Sequence, residues 1–559
     1  MRKVSFDRLL LPLLCLWVVA ISALPMLRLG LEGIAPSLPG APPGLAGMVF
    51  SDTRVWQALW RTVMVSFSAT ALSAAIGAAA AFALGLCALP GRRVLAFLFV
   101  LPMLIPPQIA ALAWIGALGP SSAILGAFGL APPLGTPHPL YSGTGIALVL
   151  GVQNAPLVFL PLIAALRRFP AGLVEAAQLA GAGRAGVLGG IVLPLLTPPF
   201  AGAVALAFVA AIGNFGIPAL LGIPANYTVL TVLVWQRLAG LGPSGLSEAA
   251  LMSLLLAGLA AIALAAEAAF AARRGRRFVA SGATRPAPPL ALGRWRHAVL
   301  AALATYLCLV LALPLASLVA TALVPAAGVP LTAATATLAN LKAVLFVQQN
   351  TIRAFRNSLL LATIAAVVLV ALALLLVRVR LPRALRFAIE LPYALPGVCV
   401  AVAVILVHLR PLPILGISLY GGLGLILIAY LARFQALALR PVAGAAARLD
   451  PGLEEAARLA GAGPLRRLAT IALPLLAPSA AAAAILVALM ALNEITLSIL
   501  LYAAGSQTLG VVVFGLNDAG AAGQAASVSL VGLMLVLALM AAAGLFARRL
   551  PPGTLPWSA

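Results

Sequence analysis

Long apolar runs separated by short polar segments dominate the chain. Twelve of these runs are long enough to cross a hydrocarbon layer of about 30 Å as helices. The first run exceeds the apolar core of about 7–15 residues that is typical of a signal peptide, so we predict that it is a retained span. The predicted spans are 9–27, 57–88, 94–118, 143–166, 191–213, 247–272, 298–323, 357–377, 387–409, 418–439, 471–493 and 525–547. The pattern therefore predicts an all-α integral membrane protein.

Composition excludes a water-soluble protein. Of the 559 residues 63% are hydrophobic and 8% are charged, and the mean hydropathy is +1.14. A soluble domain carries about a quarter charged residues. This chain has too few charges to cover a surface that faces water.

Basic residues alternate along the loops. Pairs and clusters of arginine fall on every second loop, and the positive-inside rule places those loops and both termini in the cytoplasm. The formal net charge of +23 then divides into +20 on the cytoplasmic side and +3 outside. The excess of basic residues therefore reflects the orientation of the chain in the membrane, and no nucleic-acid partner is predicted.

Few side chains are available for metal or redox chemistry. The four cysteines lie within apolar runs without a CxxC pair, and the three histidines are scattered. A disulfide framework or a metal cluster is disfavoured, and we predict no metal site, catalytic residue or cofactor.

A tandem repeat divides the chain into two halves. Residues 173–196 (LVEAAQLAGAGRAGVLGGIVLPLL) and 453–476 (LEEAARLAGAGPLRRLATIALPLL) share 15 of 24 positions at a constant offset of 280. We predict a first module at 1–280, an arginine- and proline-rich cytoplasmic linker at 281–297, and a second module at 298–559. Each module has six predicted spans, so the two copies have the same orientation in the membrane.

The repeated segments, 170–194 and 450–474, lie in cytoplasmic loops. Each begins a short helix at Glu-Ala-Ala, and Gly181 and Gly461 can end those helices in a left-handed conformation. Asp450-Pro451 predicts a cap at the start of the second helix. One interpretation is an amphipathic helix that joins two spans. The other is a helix with small side chains that fits closely into a groove on another protein, and the identical EAA-x3-G-x9-I-x-LP spacing in both copies favours it.

This motif resembles the EAA loop of the permease subunits of ATP-binding-cassette (ABC) importers. The resemblance implies the type I importer permease fold, with twelve transmembrane helices as two tandem six-helix modules. It also implies that each EAA segment is a coupling helix received by a cytoplasmic ATPase subunit. The implied contacts are Glu175, Ala176, Ala177 and Gly181 with one ATPase protomer, and Glu455, Ala456, Ala457 and Gly461 with the other.

Two modules in one chain look like the ferric-iron and thiamine branch of that family. The stretches 211–221 (AIGNFGIPALL), 227–230 and 491–501 look most like iron(III) permeases. Thiamine, polyamine (putrescine) and phosphonate permeases share the scaffold and stay open as alternatives. The resemblance further implies a periplasmic substrate-binding protein and a location in the bacterial inner membrane.

The chain is not itself expected to hydrolyse ATP. A phosphate-binding Walker A loop needs Gly-Lys followed by Ser or Thr. The two lysines, Lys3 and Lys342, follow Arg2 and Leu341. An ATPase dimer is therefore expected as a separate partner, and the chain is predicted not to be an enzyme.

An ion-coupled secondary transporter is the alternative from another class, and a structural membrane protein is a third. Ion coupling usually requires ionisable groups within the membrane. Glu267 and Glu390 lie near predicted cytoplasmic ends, and Glu248 near the start of a helix. Asn214 and Glu494, which occupy equivalent positions in the two repeats, are the candidates for the translocation pathway. Capping or packing at a helix end is the competing role for both.

Overall fold

The computed structural model describes residues 6–547, except 39, 134, 168–170, 241, 243, 275–292, 412–415 and 417. The described part of the chain is built from helices and the turns between them. Eleven of its helices are long and apolar enough to cross a membrane, or twelve when one bent pair is counted as a span. The predicted all-helical membrane fold is confirmed. Most of the predicted linker lies outside the described residues.

The first half of the chain contains fourteen α-helices in its described residues. They are α1 (Phe6–Val18), α2 (Leu24–Ile34), α3 (Leu45–Ser51), α4 (Thr53–Leu86), α5 (Arg92–Leu104), α6 (Pro107–Leu118), α7 (Ala123–Ala127), α8 (Gly143–Arg167), α9 (Ala171–Leu179), α10 (Arg184–Val187), α11 (Leu193–Gly213), α12 (Gly216–Gly222), α13 (Leu230–Ala239) and α14 (Gly245–Arg274).

The second half contributes thirteen more within the part of the chain that the structure describes. They are α15 (Trp295–Leu307), α16 (Leu313–Leu323), α17 (Ala339–Lys342), α18 (Gln349–Leu376), α19 (Arg383–Ala394), α20 (Gly397–His408), α21 (Leu423–Ala446), α22 (Pro451–Leu459), α23 (Pro464–Arg467), α24 (Leu473–Asn493), α25 (Thr496–Leu501), α26 (Leu509–Asp518) and α27 (Ala522–Ala547).

Wide π-helical turns precede Leu-Pro pairs in both halves. The stretches Leu188–Val192 and Leu468–Ala472 lead into Leu193-Pro194 and Leu473-Pro474. In each, the leucine N–H donates to the carbonyl five residues earlier. Proline has no N–H to donate, and its ring crowds the carbonyl four residues earlier. The wider turn relieves that crowding and lets the helix continue. The Leu-Pro of the repeat is therefore located inside a continuous helix.

The described residues fold into two compact units that do not follow the two halves of the sequence. The first unit comprises 1–55, 231–257 and 337–559, and the second comprises 56–230 and 258–336. In the first unit, the Ser22 hydroxyl on the N-terminal helix donates to Gln435 Oε1 at 3.2 Å. In the second, Tyr306 stacks on Phe99 with ring centroids 5.4 Å apart. Each unit thus joins the central helices of one repeat to the first span of the other. The module limits at 280 and 298 stay a prediction from the repeat.

In each repeat a proline divides the third predicted span into two helices. Helices α5 and α6 are separated at Ile105-Pro106, and α19 and α20 at Leu395-Pro396. The sequence predicted one span over 387–409, whereas α19 and α20 meet at a bend of 117°. The residue before a proline is pushed out of the helical region, so the chain turns at this point. We call the bend at Leu395-Pro396 the elbow.

A second break follows the long helices α11 and α24, at Asn214-Phe215 and Glu494-Ile495. The two breaks of each repeat lie side by side, and a glycine permits the approach. A Cβ built on Gly216 would lie 3.1 Å from the Gln108 nitrogen and 3.4 Å from Pro107 Cβ. In the second repeat the small residue is on the other partner, because a Cβ on Gly397 would lie 3.2 Å from Thr496 Cγ2. The repeats therefore make the same contact with the large and small residues exchanged.

This exchange predicts a compensating pair of substitutions in the first repeat. Gly216→Thr alone should lower the free energy of unfolding of the purified protein by about 1–3 kcal/mol, because the added side chain overfills a close contact. Adding Pro107→Gly copies the second repeat and should recover most of that loss. The measurement is a double-mutant cycle on the unfolding midpoint in detergent.

Gly258→Thr is the matched control, since a Cβ on Gly258 of α14 has no neighbouring atom within 4 Å. It should leave the midpoint nearly unchanged. Equal losses in Gly216→Thr with and without Pro107→Gly would contradict the exchange.

Candidate functional site

The first EAA helix is α9, and a left-handed glycine ends it. Gly181 has a φ of +83°, and its N–H donates to the Gln178 carbonyl at 3.0 Å. The Ala182 N–H donates to the Ala177 carbonyl at 2.9 Å. These two bonds form a Schellman motif, which satisfies carbonyls that the helix itself leaves free. Glycine is favoured here because other residues are strained at this φ.

The second EAA helix, α22, has the same end. Gly461 has a φ of +78°, and its N–H donates to the Arg458 carbonyl at 3.1 Å. The start of the helix is also defined, because the Asp450 carboxylate accepts the Gly452 N–H at 2.9 Å and Pro451 follows it. The cap predicted at Asp450-Pro451 is therefore present.

The two EAA helices expose the same face. Glu175 and Ala176 are exposed and Ala177 is half-buried, and the same pattern holds for Glu455, Ala456 and Ala457. The structure thus brings the named residues of each repeat onto one short helix with its glutamate and first alanine in the open.

The most exposed large hydrophobic residue on each of these helices was not predicted from the sequence. Leu179 and Leu459 are each 90% exposed. A large apolar side chain this exposed is informative when it recurs at the same place in two copies. The signal was present in the sequence, since both repeats read Leu-Ala-Gly-Ala-Gly at this point. A single leucine in an apolar chain, however, carries little information by itself.

The two EAA helices differ on their inner side. Glu454 Oε1 accepts a hydrogen bond from Arg378 Nη1 at 2.8 Å, and Arg467 Nη1 lies 4.0 Å from its other oxygen. The Arg378 side chain is 8% exposed, whereas the Glu454 side chain is 43% exposed, so the contact is shielded on its arginine side only. Val174 occupies the equivalent position in the first repeat. Glu454 therefore holds α22 to the end of α18, while the adjacent Glu455 remains exposed.

Asn214 and Glu494 both cap the short helix that follows their break. Asn214 Oδ1 accepts the Ile217 N–H at 3.1 Å, and Glu494 Oε1 accepts the Leu497 N–H at 3.1 Å. Each side chain thus satisfies a backbone donor that the helix leaves free. The capping role is present in the structure, and the pathway role of both residues stays a prediction.

The other break of each repeat is held by a polar side chain that was not predicted from the sequence. Gln153 on α8 donates from Nε2 to the Ile105 carbonyl at 3.0 Å. Arg433 on α21 occupies the same position in the second repeat and donates to the Leu395 carbonyl at 2.7 Å. Its signal in the sequence was an arginine within an apolar span, which is costly unless the side chain has partners.

Two of the other acidic residues near membrane ends have local partners. Glu390 forms an ion pair with Arg440 at 2.5 Å, and both side chains are substantially exposed. Glu248, in the first turn of α14, lies 3.0 Å from Arg237 Nη1. The described residues contain no group of three or more His, Cys, Asp or Glu that could hold a metal ion. These arrangements match solvated or capping roles and offer little support for ion coupling.

Comparison with known proteins agrees with the repeat. The family model for the "binding-protein-dependent transport system inner membrane component" matches the chain twice, at residues 88–274 and 372–554. A probable ABC transporter permease protein, y4fN, of Sinorhizobium fredii is 32% identical over 526 residues, which cover 90% of this chain and 89% of that protein.

Two shorter relatives match part of the chain. A putative 2-aminoethylphosphonate transport system permease protein, PhnV, of Salmonella paratyphi A is 31% identical over 180 residues, covering 32% of this chain and 66% of that protein. The molybdenum transport system permease protein ModB of Escherichia coli K12 is 28% identical over 223 residues, covering 39% of this chain and 93% of that protein. The predicted duplication and the absence of an enzymatic role are both confirmed, because the family is a membrane permease component. The chain belongs to the family of binding-protein-dependent transport system inner membrane components, as an ABC importer permease with two fused modules.

Proposed function

We propose that this permease works by alternating access and is driven through its two EAA helices by a separate cytoplasmic ATPase dimer. The observation that carries the proposal is the pair of matching helices, α9 and α22. Both end in a Schellman motif, and both expose a glutamate, an alanine and a leucine at equivalent positions. Small side chains permit close approach to a groove, and the exposed leucine supplies an apolar anchor. The residues in contact are those predicted from the EAA motif, with Leu179 and Leu459 added.

The backbone provides a direct route from each EAA helix into the membrane. α22 is followed by α23, a π-helical turn and α24, and α9 is followed by the equivalent elements of the first repeat. A helix of 21 residues such as α24 is about 30 Å long. Movement of an EAA helix therefore displaces the far end of a long helix, where the breaks are located. Both termini and both EAA helices lie on the cytoplasmic side in this proposal.

The proposed substrate is ferric iron delivered by a periplasmic binding protein. The support is the resemblance of residues 211–221, 227–230 and 491–501 to iron(III) permeases. In the first unit, a cavity of about 600 Å³ is lined by amide and aromatic side chains, including Gln348, Gln507, Trp235 and Tyr502, by several aliphatic side chains, and by Asp518. Such a lining would let iron pass without holding it tightly, so selectivity would come from the binding protein. The names of the shorter relatives supply the competing substrates, a phosphonate and molybdate.

Uptake into proteoliposomes tests the function and the substrate together. The permease is reconstituted with its ATPase, with ATP enclosed, and the cognate binding protein is added with ⁵⁵Fe(III), molybdate or 2-aminoethylphosphonate. We expect ATP-dependent accumulation of iron and background levels of the other two. Accumulation of molybdate or 2-aminoethylphosphonate in place of iron would contradict the proposed substrate and support the proposed mechanism. Uptake on an ion gradient without the ATPase would contradict the mechanism itself.

Replacing the exposed leucines tests the docking face. Leu179→Asp and Leu459→Asp should each weaken ATPase binding by roughly tenfold, the effect of losing a moderate interface anchor. The double variant should lose ATP-dependent uptake. Because both side chains are 90% exposed, expression and thermal stability should not change. Binding is measured by co-purification and by surface plasmon resonance.

Leu130→Asp is the matched control, since Leu130 is 70% exposed and lies outside the EAA segments. It should bind the ATPase as the unmodified protein does. Normal binding in the Leu179→Asp, Leu459→Asp double variant would show that the ATPase docks elsewhere.

A further inference from the structure

Two opposite charges meet at the helix breaks of the second module. Arg433 donates from Nη1 to the carbonyls of Pro392 and Leu395, at 3.2 and 2.7 Å. Its Nε lies 3.7 Å from Oε2 of Glu494, whose other oxygen caps α25 by accepting the Leu497 N–H. Arg433 thus contacts the elbow between α19 and α20 and the break between α24 and α25 at once.

This ion pair is largely withdrawn from solvent. The side chains of Arg433 and Glu494 are 20% and 13% exposed. Ionisable groups within a membrane-spanning region are unfavourable unless they pair, and removing one partner leaves the other uncompensated. The pair therefore resists separation more strongly than an ion pair on a water-exposed surface.

The first module has neutral residues at both positions. Gln153 replaces the arginine, and Asn214 replaces the glutamate. Gln153 still donates to the break carbonyl of Ile105, and Asn214 still caps the following helix. The bond to the carbonyl before the proline and the cap of the following helix are present in both modules. The bond to Pro392 and the two charges are added in the second.

The ion pair also lies at the end of the route from the second EAA helix. α24 begins after the π-helical turn that follows α23 and ends at Asn493, directly before Glu494. Displacement of α24 along its axis moves Glu494, and Arg433 forms an ion pair with Glu494 and hydrogen bonds to the elbow. The contacts form an unbroken chain from α22 to the bend between α19 and α20.

We infer that Arg433 is a positioning residue: with Glu494 it forms a joint that carries movement of α24 to the elbow, so that α19 and α20 reorient when the second EAA helix moves. This inference rests on the proposed function, because the proposed docking of the ATPase supplies the movement. The joint requires that the two residues be oppositely charged or both neutral. It does not require that either residue contacts the substrate.

Copying the first repeat into the second tests the joint. Arg433→Gln leaves the Glu494 carboxylate without its partner, and substrate taken up per ATP hydrolysed should fall about tenfold, equivalent to 1.4 kcal/mol of lost coupling. The ATPase activity of the complex should persist. Adding Glu494→Asn restores a neutral pair like that of Gln153 and Asn214, and uptake per ATP should return to within about twofold of the unmodified protein.

A distance measurement reports the joint directly. Spin labels are placed at Phe387 on α19 and Leu475 on α24, both of which are exposed, in a cysteine-free background. Their separation should change on ATP binding in the unmodified complex and in the double variant. In Arg433→Gln alone α19 should no longer follow α24, so the ATP-dependent change in separation should differ from that in the unmodified complex. A purely structural role for Arg433 would lower stability and leave this ATP-dependent change as it is in the unmodified complex.

The outcomes separate this inference from the proposed function. Absence of uptake by the unmodified complex would contradict the proposed function. Normal uptake by Arg433→Gln would overturn the joint. A folded double variant that binds the ATPase but does not transport would also overturn it, because the charges themselves would then be required. If Arg433→Gln does not fold, the first module provides the test: Asn214→Glu alone should impair uptake, and adding Gln153→Arg should restore it.

Discussion

The structure depends on one constraint, which is that backbone N–H and C=O groups in apolar surroundings must find partners. Each break leaves backbone donors or acceptors of the adjoining helices without an intrahelical partner, so each break needs help from a side chain. Gln153 and Arg433 supply donors at one pair of breaks, and Asn214 and Glu494 supply acceptors at the other. The π-helical turns before the Leu-Pro pairs meet the same constraint by changing the hydrogen-bond register. The positions of polar residues in this apolar chain follow largely from where its helices are interrupted.

The two modules satisfy this constraint with different residues. The second module has charged side chains where the first has neutral ones, both at its EAA helix and at its helix breaks. On the EAA side, Glu454 joins α22 to Arg378, where the first repeat has a valine. At the breaks, Arg433 and Glu494 replace a neutral pair. The second module therefore has charged contacts at its EAA helix and at the end of α24. A duplicated scaffold that is symmetric in its backbone has become asymmetric in its electrostatics.

The sequence was sufficient for the helical class, the duplication and the EAA segments, because apolar run length, a constant repeat offset and positional glycines are local signals. The left-handed conformation expected of Gly181 and Gly461 is found at φ values of +83° and +78°. The elbow, the role of Arg433 and the exposure of Leu459 were not predicted, because each depends on which distant segments pack together. The sequence predicted one span over 387–409 although this stretch contains Pro396, whereas the structure bends there by 117°.

The exchanged contact between the breaks constrains how the two halves can evolve. In one half the glycine is at position 216 opposite Pro107, and in the other it is at position 397 opposite Thr496. Gene conversion that copied only one segment from one half to the other would place two large residues, or two glycines, opposite each other. Both segments must be copied together for the contact to survive. Each pairing lies within one half, so each half keeps its own pairing as the two halves diverge, and a symmetric dimer of either half would keep it as well.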